Sequence, residues 1–286
     1  MLIKQLFDEH FTRHRLVKSK SGKRVYNWLF LPGGPGIDSN YLIELVKQID
    51  AEGEYWLIDL PLNGDNSSYD GTLDTIGVFE KWGEYLLAAI SQFENPILVG
   101  HSFGGYLPLF FPQLENILKG FVILNSVPTL NSDVFEQCAK DHNLPSREQY
   151  ITAFQNSPSL STAKDLYMAG VPYCFPIENR DTGKKLMENL SFNVAPGYWW
   201  YSSGAKQYAK IRWIPEHLPT LIIGASHDFL TPISLFKKDK RFERNNIDII
   251  TIPNAGHFPW VEAPTLVGEA VRDFVRKIKI TKPIVE

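Results

Sequence analysis

The stretch Ile97-Leu98-Val99-Gly100-His101-Ser102-Phe103-Gly104-Gly105 decides the reading of this chain. A short apolar run of strand character leads into Gly-x-Ser-x-Gly, Gly100 to Gly104, and an apolar, helix-like segment follows. A serine on so sharp a strand-to-helix turn has a strained backbone, and side chains two residues to either side would collide. Gly100 and Gly104 remove those side chains. Ser102 then stands clear of the sheet, and the Phe103 N–H at the helix start points to where an oxyanion would form.

A serine hydroxyl needs a base, and the base needs an acid. His257, in Pro253-Asn254-Ala255-Gly256-His257-Phe258, follows the apolar run Ile247–Ile252 and precedes the last helical stretch. Asp228 follows the run Thr220–Ile223, in Gly224-Ala225-Ser226-His227-Asp228. Both therefore open at the carboxyl ends of predicted strands, where open α/β sheets carry their sites. After the preceding strand the chain reads Asn125-Ser126, with no carboxylate. His101 adjoins Ser102 but is expected to point away. His10, His14, His142 and His217 lack a strand-end setting. Leu31-Pro32-Gly33-Gly34-Pro35-Gly36 offers bare backbone, and the Gly34 N–H is the expected second oxyanion donor. No Gly-Lys-Ser/Thr follows, so a phosphate loop is disfavoured.

Working outward, further buried strands are expected at Tyr55–Ile58 and Phe121–Leu124, alternating with helical patterns over Tyr41–Ile49, Leu73–Phe93 and Leu266–Ile278. The alternation predicts an α/β fold with a mostly parallel central sheet and helices on both faces. Phe11–Lys18 and Arg24–Leu31, flanking Ser19–Lys23, read as an antiparallel hairpin at the sheet edge. From 127 to 211 the alternation stops. Helical patterns such as Ser132–Asp141 and Ser161–Ala169 predict an inserted helical cap there, with residues 1–126 and 212–286 forming the core domain. The Lys277–Lys282 tail reads as a solvated end.

Composition bounds the function. The 286 residues are 44% hydrophobic and 21% charged, with formal net charge −3, so nothing asks for a nucleic-acid partner. Cys138 and Cys174 form neither a disulfide framework nor a metal-type cluster, and no metal or organic cofactor is implied. The stretch from Asn95 to Leu114 lacks Asp, Glu, Lys and Arg, but its prolines and glycines read as strand, turn and helix rather than a membrane span. Met1–His10 has no unbroken apolar run, so no secretory signal is expected, and a cytoplasmic location fits.

These residues together resemble the α/β-hydrolase fold superfamily, in the order Ser102, Asp228, His257. Gly33-Gly34-Pro35-Gly36 is most similar to the His-Gly-Gly-Pro-Gly motif of the prolyl aminopeptidase (proline iminopeptidase) branch, and Leu57–Ser67 loosely resembles that branch's Asp-x-Pro-Gly-x-Gly-x-Ser loop. Pro32 stands where the branch has its loop His, and the elbow Gly-His-Ser-Phe-Gly-Gly is that of many esterases. The resemblance implies a serine hydrolase acting on a small ester or an N-terminal peptide bond. In the aminopeptidase branch, cap carboxylates receive the substrate's amino terminus; Glu178, Asp181 and Glu188 are the candidates here. The aromatic clusters Val171–Pro176 and Tyr198–Tyr201, with Trp199 and Trp200, are candidate pocket walls. A carboxylesterase or lactonase, a cofactor-free lyase or perhydrolase, and a non-catalytic binding protein stay open, as does the oligomeric state.

Overall fold

A computed structural model of the chain describes residues 2–22, 26–66, 75–130 and 132–278. Among the described residues eight strands are formed: β1 (Lys4–Phe7), β2 (Arg13–Lys20), β3 (Asn27–Leu31), β4 (Gly53–Asp59), β5 (Pro96–His101), β6 (Gly120–Leu124), β7 (Thr220–Ala225) and β8 (Ile247–Ile252). They make one sheet in the order β1-β2-β4-β3-β5-β6-β7-β8. The pairs from β4 to β8 are parallel, while β1 with β2 and β2 with β4 are antiparallel.

The expected hairpin is thereby corrected. Arg13–Lys20 and Asn27–Leu31 are strands, but β4 lies between them. Trp28, Leu29, Phe30 and Leu31 form an unbroken apolar run buried on both faces, which is how a central parallel strand reads, not an edge one. The edge belongs instead to β1, whose Leu6 and Phe7 are exposed. Lys23 of the expected turn and Arg24 and Val25 of the expected second strand lie outside the described residues, as do Leu73 and Asp74 of the expected helix and the tail beyond 278.

Alternation along each strand sorts the core into two layers. Leu29, Leu31, Leu98 and Phe121 face one side, under the helices Thr75–Glu80 and Trp82–Ser91. Trp28, Phe30, Ile97 and Val99 face the other, under Leu45 and Val46 of the short helix Ile43–Gln48 and Val267, Val271 and Phe274 of the C-terminal helix Pro264–Lys277. Between β6 and β7 the chain is helical, with α-helices over Ser132–Asp141, Glu148–Asn156, Leu160–Ala169, Val171–Cys174, Arg180–Glu188 and Val194–Trp199, then a π-helical turn over Trp200–Gly204. This is the inserted cap. Among the described residues no helix is long and apolar enough to cross a membrane.

Candidate active site

Ser102 sits between β5 and the helical turn Phe103–Tyr106 with φ +54° and ψ −119°, a conformation that side-chain-bearing residues rarely adopt. The two flanking glycines are required by close approach. A Cβ on Gly100 would stand 2.1 Å from the Gly104 carbonyl oxygen, and one on Gly104 would stand 2.4 Å from that of Leu31. The elbow is pinned from the neighbouring strand: the Ser102 N–H donates to the Leu124 carbonyl (2.9 Å), and Ser126 Oγ donates to the Ser102 carbonyl (2.8 Å).

Asp228 and His257 stand on the loops after β7 and β8, both buried. His257 Nδ1 lies 2.9 Å from Asp228 Oδ2. A carboxylate oxygen only accepts, so Nδ1 carries the proton and Nε2 of the neutral ring keeps its lone pair. The same Oδ2 accepts from Asn125 Nδ2 (2.8 Å) and Thr231 Oγ1, while Oδ1 accepts the N–H groups of Leu230 (3.1 Å) and Thr231 (2.9 Å). Burial alone would raise this carboxyl, but His257 and the hydrogen bonds outweigh it and hold it at about 2. The His257 backbone is fixed as well: its N–H donates to the Cys174 carbonyl of the cap (2.7 Å), and Glu262 accepts the N–H of Gly256 (2.7 Å).

Ser102 and His257 border one cavity of about 380 Å³ between the sheet and the cap. Among the described residues no hydrogen bond joins Ser102 Oγ to His257. Such contacts are often long in unliganded sites and tighten around substrate. Gly34 and Phe103 border the same cavity, and neither N–H is taken by another described group. The Gly33 N–H, by contrast, donates to Tyr41 Oη (2.7 Å).

That bond belongs to a relay that sequence reasoning missed. His101 is buried and held neutral by desolvation, with His257 nearby adding to the effect. Its Nε2 lies 3.0 Å from the His257 carbonyl, which can only accept, so Nε2 donates. Nδ1 therefore accepts from Tyr41 Oη (2.7 Å), and Tyr41 accepts from Gly33. Tyr41 and His101 thus tie the Gly33–Gly36 loop to the base loop in a chain where Pro32 cannot donate. The Leu57–Asn66 segment braces the loop from its other side. Asn63 accepts the Gly36 N–H (2.9 Å) and donates to the Ile37 carbonyl (2.6 Å), and buried Asp59 receives Arg13, Arg15 and Ser39. Ser67, the last residue of the resembling segment, lies outside the described residues.

The weaker substrate-binding candidates divide. Trp200 is on the cavity wall, as are Tyr173, Cys174 and Tyr201. Trp199 is not: its ring is buried against Phe79 and Trp82. Glu178, Asp181 and Glu188 are exposed and absent from the wall, which corrects their proposed role. Burial pushes the thiols of Cys138 and Cys174 up, so neither is a ready thiolate. Asn125 is the other residue missed. The sequence showed only that no carboxylate stands there, whereas its amide donates to Asp228.

The sequence profile of the alpha/beta hydrolase family matches residues 28–270. The chain therefore belongs to the alpha/beta hydrolase family. It is 24% identical over 275 residues to the pimeloyl-[acyl-carrier protein] methyl ester esterase of Wigglesworthia glossinidia brevipalpis, covering 90% of this chain and 96% of that protein. Among solved structures it is similar to a thermophilic esterase from Thermogutta terrifontis with malate bound (TM-score 0.65, 17% identity, 94% of this chain and 95% of that one). A proline iminopeptidase-related protein from Thermus thermophilus is equally similar (TM-score 0.66, 18% identity, 96% and 98%). Likeness at this identity reflects the fold shared by proteins of differing chemistry.

Proposed function

We propose that the protein is a serine hydrolase of carboxylic esters. The observation that carries this reading is His257, hydrogen-bonded to Asp228 behind it, bordering the same cavity as a serine on a strained elbow. His257 Nε2 takes the proton of Ser102 as Oγ attacks the ester carbonyl. The N–H groups of Phe103 and Gly34 receive the oxyanion. His257 returns the proton to the departing alcohol, leaving an acyl-serine. Water attacks this acyl group, giving its proton to Nε2, and the acid leaves as Ser102 is reprotonated. Throughout, Asp228 keeps the imidazole tautomer and offsets its charge.

Ester chemistry is favoured over aminopeptidase chemistry by the charge of the cavity. An N-terminal ammonium brought into this apolar space needs a carboxylate partner. No Asp or Glu is among the described wall residues, and Asp228 is already saturated by its own hydrogen bonds. The relatives named as esterases agree with this direction. Hydrolysis of p-nitrophenyl esters and of Pro-β-naphthylamide separates the two readings. The expected kcat/KM is at least ~10²-fold greater for the best ester. Arylamide turnover matching ester turnover would establish the aminopeptidase instead.

A further inference from the structure

The walls of the Ser102 cavity are apolar and aromatic, yet one of them carries a full charge. Arg147, at the start of the cap helix Glu148–Asn156, is the one Arg, Lys, Asp or Glu among the described wall residues. It is half-buried, and it makes no ion pair or hydrogen bond with any described side chain or carbonyl. Its Nε is shut off from solvent without an acceptor. The guanidinium lies 5.4 Å from the centre of the Tyr173 ring. A ring face attracts the charge but leaves the in-plane N–H groups unsatisfied. One terminal nitrogen stands beside Gly170, where a Cβ would be 3.6 Å away. Tyr167 and Tyr201 also border the cavity, and their hydroxyls hydrogen-bond to no described group.

The location ties this charge to the reaction centre. Tyr173, under the guanidinium, gives its carbonyl to the N–H of Phe229, the residue after Asp228, and the carbonyl of Cys174 holds the N–H of His257. The cation is thus anchored on the cap turn that positions the base and acid loops, and it faces the space that substrate would fill. A half-buried cation with idle donors is costly unless something supplies an anion.

We propose that the cavity takes esters that carry a free carboxylate at the end remote from the scissile bond, with Arg147 receiving that carboxylate. The assignment rests on Ser102 acting as the esterase nucleophile. A guanidinium presents paired N–H groups that match the two oxygens of a carboxylate, and an apolar surround strengthens the pairing. The same charge repels an ammonium, in keeping with the ester preference argued above.

The test compares half-ethyl esters of straight-chain dicarboxylic acids, over a range of chain lengths, with ethyl esters of monocarboxylic acids of the same length. For the wild type, kcat/KM is expected to favour the half-ester by about 10- to 100-fold at the length that spans the cavity. In Arg147→Gln the ratio should fall to about one. A wild type with no preference at any length, or an Arg147→Gln protein that keeps it, overturns the proposal. A second measurement needs no turnover: calorimetric titration of the corresponding dicarboxylates into Ser102→Ala. Binding should weaken by a similar factor in Ser102→Ala/Arg147→Gln, and equal binding in both, or none in either, also overturns the proposal. Arg147-dependent binding by a protein whose wild type cleaves no ester would instead overturn the Ser102 reading and leave the anion site standing.

Discussion

Ser102→Ala is expected to lower kcat for ester hydrolysis by roughly 10⁴- to 10⁶-fold, because the oxyanion donors and substrate binding that remain account for only a small part of the rate. Stability should barely move. Ser102 Oγ makes no hydrogen bond among the described residues, so its removal leaves no partner unsatisfied, and alanine faces the same φ of +54°. A change within about 0.5 kcal/mol follows. Steady-state assays beside thermal unfolding separate the two effects. A variant that retains a tenth of the activity would mean that another group performs the attack.

Asp228→Asn should cost about 10⁴-fold in kcat, since an amide can present its NH₂ to His257 and reverse the tautomer. Stability should fall too. Asp228 accepts five hydrogen bonds, three on one oxygen and two on the other, and an NH₂ placed on either side meets donors. The pH dependence fixes the sign. The carboxyl sits at about 2 in the folded protein, below its ordinary 3.8, so its contribution is complete above pH 4 and is lost as pH falls toward 2. The stability gap between wild type and variant, on the order of 2 kcal/mol from ionisation alone, should therefore narrow between pH 4 and pH 2. Urea denaturation at pH 6 and at pH 2.5 measures it. A gap that widens in acid would contradict the ionised, paired state of Asp228.

Those residues were readable because each is announced locally. Gly100 and Gly104 are dictated by the backbone crowding around Ser102, and His257 and Asp228 each follow an apolar strand by a few residues. The helical cap showed itself through the failure of strand–helix alternation. The order of strands at the N-terminal side was not readable, since the insertion of β4 between β2 and β3 is a pairing distant in sequence, and short-range turn signals favour the hairpin. Trp199 and Trp200 show a second limit. They are adjacent and chemically alike, yet one helical step of about 100° sends the first into the core and the second to the cavity. Asn125, Tyr41 and His101 gave no signal because their role lies in partners far along the chain: Asn125 meets Asp228, Tyr41 meets Gly33 and His101, and His101 meets the carbonyl of His257. Arg147 was silent for a related reason. A charged residue in a polar helix reads as surface until the fold turns it toward an apolar space.

The proposed hydrolysis depends on Ser102 as a nucleophile activated by His257. Treatment with a fluorophosphonate, followed by peptide mapping by mass spectrometry, tests this most directly. One phosphonyl group per chain, located on Ser102, formed by the wild type and lost in His257→Ala, is the expected result. An unlabelled wild type, or an adduct on any other residue, would contradict it.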